Sequence, residues 1–303
     1  MTMFDTPNTR GKLLFDVPMT RYNTWGVGGN AQCVFIPSDV ADLAKFLAGL
    51  EAGIPVTWLG LGSNVLIRDG GIQGVVVVTQ GGLKEITIDN GKVHAQAGVA
   101  CAKLARTCVS KGLSGIEFMA GIPGTVGGAL AMNAGAFGGQ TWPRVSSVEV
   151  INRQGIISTR TADEYDYGYR YVKGFDGEWF LGASFDLDEG ADSNNVISIK
   201  KLLEQRAATQ PIGKKNCGSV FMNPQNAFAA NLIEQCGLKG FCIGGACVST
   251  KHANFIINEN KASAADIEAL IKHVQSAVNE KHNIELNTEV RFLGDSLDAK
   301  DLV

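Results

Sequence analysis

The sequence predicts a fold that combines α-helices with β-strands. Near the N-terminus, strand-like runs at residues 33–36 and 56–59 flank an amphipathic segment, and this order with short connections predicts an α/β unit. The chain has 303 residues, which is long enough for two or three compact units. Its composition, 45% apolar and 19% charged, is typical of globular proteins.

The first half of the chain contains further segments with helix or strand periodicity. Ser38 is the predicted N-cap of a helix whose apolar residues fall on one face, and Gly53 follows that helix. Further strands are predicted over residues 65–67, 75–79, 84–89 and 92–97. The last two are predicted to form a hairpin around Asn90 and Gly91, a pair that favours a type I′ turn. A second helix is predicted over residues 100–111.

The middle of the chain is predicted to be rich in strands. They are predicted over residues 145–152, 156–161 and 179–187. Residues 163–171 carry four of the five tyrosines at alternate positions. As a strand, this segment would place the tyrosine rings on one face and Arg170 on the other. The polar stretch 188–195 is the predicted domain boundary, and a helix is predicted over residues 196–209.

The C-terminal part of the chain carries a clear helix start and an alternating terminal segment. Ser263 is the predicted N-cap of a helix, with Asp266 at the capping-box position. A terminal strand is predicted over residues 284–292, because apolar and polar side chains alternate there. Its outward face carries Glu289 and Arg291.

Composition and charge exclude several classes of protein. The net charge is −3 with scattered Lys and Arg, which argues against a nucleic-acid-binding surface. No apolar run is long enough to span a membrane, and the N-terminus lacks the apolar core of a signal peptide. The seven cysteines include no CxxC pair and are predicted to be reduced and mostly buried. None of the four histidines has metal-ligand spacing, so no metal site is predicted.

Two glycine segments are the first candidates for a binding site. Residues 115–139 contain eight glycines among 25 residues, separated by small or apolar residues, and this predicts a packed loop. The bare backbone N–H groups of such a loop suit an anionic, planar cofactor. Residues 60–64 form a shorter glycine loop. Neither segment matches a P-loop or Rossmann fingerprint, so tight turns between strands are the alternative to a pyrophosphate-bearing cofactor.

Three polar side chains are candidates for chemistry. Ser219 follows Gly218 at the entrance of a short apolar run, and without a nucleophile elbow it could be a plain turn residue. Glu289 could belong to a solvated strand face, and Arg170 could make only a cation–π contact with a neighbouring tyrosine. The residues alone leave both interpretations open for each side chain.

Seven motifs in order make the chain resemble a known family. They are TWGVGGNA (24–31), GLGSNVLIRDGG (60–71), GIPGTVGGALAMNAGAFGG (121–139), YGYR (167–170), CGSVFMNP (217–224), KHANFIIN (251–258) and EVRFLG (289–294). The combination resembles the UDP-N-acetylenolpyruvoylglucosamine reductase family from about residue 22 to residue 294. Each motif alone is weak, but seven in order are specific.

The resemblance implies an α+β fold. This is a two-subdomain FAD-binding fold of the vanillyl-alcohol-oxidase type, followed by a C-terminal α/β substrate-binding domain. The implied domains are residues 1–80, 81–195 and 196–303. FAD would be bound non-covalently, because no histidine is placed for its attachment. The resemblance assigns FAD binding to Gly60, Leu61, Gly62, Ser63, Asn64, Gly121, Ile122, Pro123, Gly124, Thr125, Gly128, Asn133, Ala134 and Gly135.

The resemblance also implies a reaction. In this family NADPH reduces FAD, which then reduces UDP-N-acetylglucosamine enolpyruvate to UDP-N-acetylmuramate. The product serves cytoplasmic peptidoglycan synthesis, and so cell-wall biogenesis, cell shape and cell division. Ser219 would donate a proton, while Arg170 and Glu289 would stabilise the enolic intermediate. The implied partners are these small molecules; no nucleic acid, membrane span or obligate protein partner is implied.

The chain departs from the family pattern at a few positions. Phe137 stands where related sequences often carry tyrosine, and Met222 stands where some carry lysine. The residues after YGYR lack the serine commonly found there. The short connection to Trp179 resembles the second structural type of the family. Two other interpretations remain, a flavin-dependent oxidase on the same FAD fold with a different substrate and a flavin-binding module without catalysis.

Overall fold

Helices and strands alternate along the chain, of which the computed structural model describes residues 9–89, 91–190 and 193–297. The α-helices of this part are Val40–Gly49 (α1), Cys101–Ser110 (α2), Val126–Ala131 (α3), Ser193–Thr209 (α4), Ala229–Gln235 (α5) and Ala264–His282 (α6). The strands up to residue 140 are Lys12–Pro18 (β1), Asn30–Ile36 (β2), Val56–Leu59 (β3), Val65–Ile67 (β4), Ile72–Val78 (β5), Ile86–Asp89 (β6), Lys92–Gln96 (β7), Leu113–Ser114 (β8), Gly135–Ala136 (β9) and Gly139–Gln140 (β10). The later strands are Val145–Asn152 (β11), Ile157–Thr161 (β12), Asp166–Gly168 (β13), Tyr171–Lys173 (β14), Glu178–Phe185 (β15), Asp188–Glu189 (β16), Cys242–Ile243 (β17), Ala246–Val248 (β18), Ile256–Asn258 (β19) and Arg291–Leu293 (β20). Within the described residues, no helix is both long enough and apolar enough to cross a membrane.

The strands form two larger sheets and several short ones. The four-stranded sheet has the order β1-β2-β5-β3, and its β3–β5 pair is parallel. The five-stranded sheet has the order β12-β11-β15-β7-β6, with antiparallel neighbours. Two antiparallel hairpins, β9–β10 and β13–β14, carry residues of the candidate site, and the parallel pair β4–β20 begins just after Asn64 and Glu289.

Contacts divide the chain into two compact units. The first unit consists of Met1–Leu14, Cys33–Leu61 and Gly74–Gln205, and the second of Phe15–Gln32, Gly62–Gln73 and Arg206–Val303. The predicted mixture of helix and sheet is confirmed. The three-part division at residues 80 and 195 stays a prediction. Part of the predicted boundary stretch 188–195, residues 191 and 192, lies outside the described residues.

The first unit has two hydrophobic clusters. One packs α1 against strands of the sheets and contains Phe35 and Phe46, whose ring centroids are 3.9 Å apart. The other packs α2 and α3 against the five-stranded sheet and contains the fully buried Trp142. The indole N–H of Trp142 donates to the Leu130 carbonyl at 2.8 Å, so this polar atom is satisfied inside the core.

The second unit is built around α6. Its buried stripe consists of Ile267, Leu270, Ile271, Val274 and Val278. The predicted capping box is confirmed, because Ser263 Oγ accepts from Asp266 N and Asp266 Oδ2 accepts from Ser263 N, both at 3.0 Å. Trp25 and Leu66 join the same hydrophobic cluster, so distant parts of the chain complete this core.

Several predicted elements of the first unit are confirmed, but one cap is wrong. Strands β6 and β7 pair in an antiparallel manner as predicted, while Asn90 lies outside the described residues. Asp39, not Ser38, is the N-cap of α1, and its carboxylate accepts from Asp42 N at 2.9 Å. A carboxylate at this position also interacts favourably with the helix dipole, which a hydroxyl does much less.

The tyrosine-rich segment is not a single strand, which was the condition for placing its tyrosine rings on one face. Strands β13 and β14 form a hairpin, and Tyr169 and Arg170 lie in the turn between them. Arg170 has a φ of 62°, which is left-handed and incompatible with an extended strand. The alternation of faces therefore stops at Gly168.

The predicted terminal strand is shorter than its sequence pattern. Only β20 pairs as a strand, although Phe221 and Thr288 form an isolated antiparallel bridge just before it. The alternation of burial is still as predicted, with Leu286 and Val290 buried and the intervening side chains more exposed. A burial pattern of period two therefore extends further than the hydrogen-bonded ladder.

The cysteines agree with the prediction only in part. Four are buried free thiols, namely Cys33, Cys101, Cys108 and Cys217. Cys236 is free and half-buried. Cys242 and Cys247, however, form a disulfide, so the prediction that all seven are reduced is wrong. Both lie in the antiparallel pair β17–β18, whose register makes them direct cross-strand partners with Cα atoms 4.1 Å apart.

The capping box of α6 gives a direct test of the fold. Replacing Ser263 by alanine removes the acceptor for Asp266 N, and we expect the free energy of unfolding to fall by about 1 kcal/mol. Urea denaturation measures this change. Ser276→Ala is the matched control, because Ser276 lies within the same helix and outside its buried stripe, and it should change stability by less than about 0.5 kcal/mol. Equal losses in both variants would contradict the contribution of the cap.

Candidate active site

The two glycine segments meet in the first unit, at Gly60 and Thr125. A Cβ atom added to Gly60 would lie 2.4 Å from Thr125 Oγ1, so no larger residue fits there without movement. Thr125 is buried and caps α3, with its side chain accepting from Gly128 N at 3.5 Å. The loops that the sequence assigns to one cofactor are therefore in direct contact.

The longer glycine segment is packed, as predicted, but it is not a loop throughout, because α3 and β9 lie within it. Val126 N donates to Val99 O at 2.8 Å and Gly127 N donates to Ala97 O at 2.9 Å, which fixes the start of α3 against the connection between β7 and α2. A Cβ on Gly127 would lie 2.9 Å from the Cβ of Ala97. All residues between 121 and 135 are described, and no glycine among them has a positive φ. Close approach, rather than repeated left-handed turns, therefore explains these glycines.

Asn133 lies near the end of the longer segment, and its side-chain amide makes three hydrogen bonds. It is 1% exposed and adopts a left-handed φ of 45°. Its amide nitrogen donates to Gln140 Oε1 at 2.8 Å and to Gly168 O at 2.9 Å, and its amide oxygen accepts from Trp142 N at 3.1 Å. Asn133 therefore ties the glycine segment to the β13–β14 hairpin.

The same hairpin presents Arg170 at its turn. The guanidinium of Arg170 donates to Gly135 O at 3.1 Å, so Asn133 and Gly135 hold the hairpin at Gly168 and at its apex. The guanidinium carbon also lies 5.3 Å from the centre of the Tyr169 ring, which is the cation–π contact offered as the alternative interpretation. A left-handed arginine is an uncommon conformation that is often found at functional sites.

Phe137 lies at the tip of the β9–β10 hairpin with a φ of 53°. Its ring covers Gly121, where an added Cβ would meet the ring at 2.4 Å. The Phe118 ring covers Gly139 in the same manner, also at 2.4 Å. A cavity of about 240 Å³ beside the hairpin is lined by Phe118, Gly139 and Arg144, among others. The rings of Phe118 and Phe137 therefore pack the β9–β10 hairpin against residues 118–121, near the start of the same glycine segment.

In the second unit, the end of the short glycine loop lies against the segments that carry Ser219 and Glu289. Asn64 Nδ2 donates to Glu289 O at 3.0 Å, and Arg291 N donates to Asn64 O at 3.1 Å. The Cys217 thiol donates to Ser63 O at 3.2 Å. Burial raises the pKa of this thiol, and the Glu289 carboxylate adds to the rise, so Cys217 stays protonated and able to donate.

Ser219 follows a tight turn and lies beside Glu289 in the backbone hydrogen-bond network. Gly218 has a φ of 74°, and its N–H donates to Asn216 Oδ1 at 3.0 Å. Ser219 itself is half-buried. The next residue, Val220, accepts a hydrogen bond from Glu289 N at 2.8 Å. The second unit therefore brings Ser219 and Glu289 onto adjacent stretches of main chain.

The predicted site residues are divided between the two units. Those of the first unit are Gly60, Leu61, Gly121, Ile122, Pro123, Gly124, Thr125, Gly128, Asn133, Ala134, Gly135 and Arg170. Those of the second unit are Gly62, Ser63, Asn64, Ser219 and Glu289. The sequence identifies Cys217 only as a small buried residue and does not reveal its hydrogen bond to the glycine loop. Its position two residues before Ser219, inside the CGSVFMNP motif, is the available signal.

Comparison with known proteins defines the class of this chain. Residues 31–160 match the family model described as an FAD binding domain. Residues 210–293 match the model described as the C-terminal domain of UDP-N-acetylenolpyruvoylglucosamine reductase. The chain is thus a flavoprotein with an FAD-binding domain followed by a reductase C-terminal domain.

Relatives over nearly the full length make the assignment more specific. The reductase of Alkalilimnicola ehrlichii is 50% identical over 94% of this chain and 96% of its own length. That of Legionella pneumophila strain Corby is 53% identical over 95% of this chain and 94% of its own length. The crystal structure of the reductase from Thermus caldophilus superposes with a TM-score of 0.81 at 29% identity, covering 95% of this chain and all of that one. The chain belongs to the UDP-N-acetylenolpyruvoylglucosamine reductase family.

Family membership confirms several expectations from the sequence. The fold, the class of FAD-dependent oxidoreductase, FAD as cofactor and NADPH as reductant are confirmed. The alternative of an oxidase with another substrate is not favoured, because the full-length relatives are named as reductases. The roles of individual site residues stay predictions.

The main chain at the start of α3, in the longer glycine segment, leaves room for a bound FAD. Gly128 is exposed, and a Cβ added there would meet only Thr125 Oγ1, at 3.8 Å. Gly124 is half-buried, and Pro123 is exposed but has no main-chain N–H to donate to an anion. Bare main chain of this kind is what the pyrophosphate of a dinucleotide requires.

Gly62 provides a test of how strictly the first loop is shaped. Its φ is 69°, and an added Cβ would lie 2.0 Å from Tyr22 O, so Gly62→Ala introduces both backbone strain and a clash with main chain. We expect a loss of at least about 2 kcal/mol in the free energy of unfolding, measured by urea denaturation. Gly53→Ala is the matched control, because nothing lies within 4 Å of its added Cβ. A similar stability for both variants would show that the loop does not need glycine at residue 62.

Proposed function

We propose that Arg170, Ser219 and Glu289 are the catalytic residues of the reaction that defines this family. The reaction is the NADPH-dependent reduction of UDP-N-acetylglucosamine enolpyruvate to UDP-N-acetylmuramate, a peptidoglycan precursor. The proposal is supported above all by the hydrogen bond from Glu289 N to Val220 O, at 2.8 Å, which joins the Ser219 and Glu289 segments. When bound, FAD supplies hydride transfer from NADPH to the substrate.

The reaction requires the protein to donate one proton and to stabilise one anionic intermediate. Addition of hydride to the methylene carbon of the enolpyruvyl group leaves negative charge on the neighbouring carbon and its carboxylate. That carbon must then receive a proton, which forms the second new C–H bond. Catalysis therefore needs a proton donor at this carbon and groups that stabilise the enolic form.

Ser219 is the proposed proton donor. A serine hydroxyl is a weak acid, but a carbanion is a strong base, so a correctly placed hydroxyl is sufficient. The left-handed turn at Gly218 and the buried Val220 fix the main chain on both sides of Ser219. After the transfer, the hydroxyl recovers its proton from solvent.

Glu289 and Arg170 are the proposed stabilising groups. Glu289 is half-buried, and its main chain is anchored on both sides by Val220 O and Asn64 Nδ2. Its carboxylate would accept a hydrogen bond from the enolic substrate. Arg170 would place positive charge where negative charge develops, with its guanidinium held by Gly135 O.

The proposal extends to the cofactor residues, the domain division and the location. Residues 60–64 and 121–135 hold FAD, with their bare main chain against the pyrophosphate. Residues 1–80 and 81–195 are the two FAD-binding subdomains, and residues 196–303 bind the nucleotide-sugar substrate. A cytoplasmic location completes the proposal, because NADPH and the substrate are supplied there.

Ser219→Ala separates the two half-reactions. We expect anaerobic reduction of the flavin by NADPH to stay within about twofold of wild type, while reoxidation by the enolpyruvyl substrate slows at least about 100-fold, because the carbanion loses its proton donor. Stopped-flow absorbance of the flavin follows each step. Ser110→Ala, at an exposed serine at the end of α2, is the control and should alter neither step. Equal slowing of both half-reactions would reject Ser219 as the proton donor.

The bound flavin itself is directly testable. Purified protein is expected to be yellow, and acid precipitation should release FAD into the supernatant, because the cofactor is held without a covalent bond. NADPH added without oxygen should bleach the flavin absorbance, and buffer added in the same way should not. Colour that stays with the precipitate would reject the non-covalent mode, and a flavin that NADPH does not bleach would reject the reductase assignment.

A further inference from the structure

Asn254 is one of the few fully buried polar side chains in the described part of the second unit. It is 4% exposed and lies in the connection between β18 and β19, far in sequence from Ser219. We propose that Asn254 is a positioning residue that fixes Ser219 relative to Glu289. The inference deepens the proposed function and rests on it, because it assumes that Ser219 donates the proton.

The side chain of Asn254 acts as a substitute for a neighbouring strand. Its amide oxygen accepts from Phe221 N at 2.9 Å, and its amide nitrogen donates to Phe221 O at 2.8 Å. Its own main-chain oxygen accepts from Val220 N at 2.9 Å. The two bonds to Phe221 repeat the donor and acceptor pair that one residue of an antiparallel strand offers to its partner.

The segment Val220–Met222, which follows Ser219, is held on its opposite edge by the chain around Glu289. Glu289 N donates to Val220 O at 2.8 Å, and Met222 N donates to Asn287 O at 2.9 Å. Phe221 is also bridged to Thr288. Hydrogen bonds therefore reach the residues just after Ser219 from two sides, with Asn254 on one and the Glu289 segment on the other.

This arrangement makes Asn254 difficult to replace. Val220 and Phe221 are 0% and 2% exposed, so water does not readily satisfy their main-chain groups if the amide is lost. Aspartate lacks the donor for Phe221 O, and serine is too short to bond both groups at once. A shift of the segment would move the Ser219 hydroxyl, and a displacement of about 1 Å can slow a reaction about 100-fold.

Asn258 is a matched comparison for a residue that only supports the fold. Its amide nitrogen donates to Trp25 O at 2.9 Å, and its amide oxygen accepts from Ala262 N at 2.8 Å. It therefore also joins two main-chain groups of the second unit, a short distance after Asn254 in the sequence. Neither of these two bonds reaches the Ser219 segment.

The experiment compares Asn254→Ser with Asn258→Ser in the full-length, FAD-loaded enzyme. For Asn254→Ser we expect reoxidation at saturating enolpyruvyl substrate to slow about 10-fold to 100-fold. Flavin reduction by NADPH should stay within about twofold, and so should the substrate Kd read from the perturbed flavin spectrum. For Asn258→Ser we expect all three quantities to stay within about threefold, even if thermal stability falls equally.

A double-mutant cycle with Ser219→Ala decides whether Asn254 acts through Ser219. We expect Asn254→Ser to slow reoxidation by less than about threefold when Ser219 is already alanine. Fully additive losses, or equal slowing of reduction and reoxidation by Asn254→Ser, would overturn the positioning role alone. A Ser219→Ala enzyme with normal reoxidation would instead overturn the proposed function together with this inference.

A second variant keeps the test decisive if Asn254→Ser does not give folded protein. Asn254→Gln retains both amide groups on a side chain that is one methylene longer, so it can satisfy Phe221 only by shifting the segment. We expect this variant to bind FAD and to accept hydride from NADPH, with reoxidation slowed at least about 10-fold. Reoxidation at the wild-type rate would overturn the inference.

Discussion

The parallel pairing of β4 with β20 is the constraint on which the second half of the candidate site depends. Val65 is paired with Arg291, although most of the chain separates them in sequence. Just before this pair, Asn64 bonds the main chain of both Glu289 and Arg291. The end of a glycine loop and the proposed catalytic glutamate thus both lie just before this pair of strands. This closure fixes Glu289 next to that loop.

Glycines allow the close main-chain contacts around this pair of strands. A Cβ on Gly28 would lie 2.5 Å from Ile67 O, and a Cβ on Gly29 would lie 2.2 Å from Asp69 O. The glycines of the TWGVGGNA motif therefore let the chain lie directly on the end of β4 and the residues that follow it. In the first unit, Gly121 and Gly139 accept aromatic rings where a side chain would stand. Gly29, Gly121 and Gly139 thus serve close packing without a positive φ, whereas Gly28 combines close packing with a φ of 102°.

Much of the fold can be predicted from local patterns, and the errors have physical causes. The strands at 56–59, 65–67 and 145–152 have the bounds that their sequence predicts, because short apolar runs end at turn residues there. The conditional interpretation of residues 163–171 as one strand does not hold, since two-residue alternation does not reveal a left-handed turn at Arg170. The disulfide between Cys242 and Cys247 depends on hairpin register, which the spacing of the cysteines does not show. The KHANFIIN motif contains Asn254 but does not single it out, because the side chain bonds Phe221, 33 residues away, and local spacing does not show that contact.

The composition of the second core has a consequence for how the protein can be divided. The matched reductase C-terminal domain covers residues 210–293, yet Trp25, Val27 and Leu66 are buried in the same cluster as α6. The indole of Trp25 also donates to Ile256 O at 2.8 Å. A fragment cut at the family boundary would leave an apolar hole and an unpaired β20 edge. The compact second unit is therefore discontinuous in sequence, and producing it alone would require residues 15–32 and 62–73 to be joined to residues 206–303.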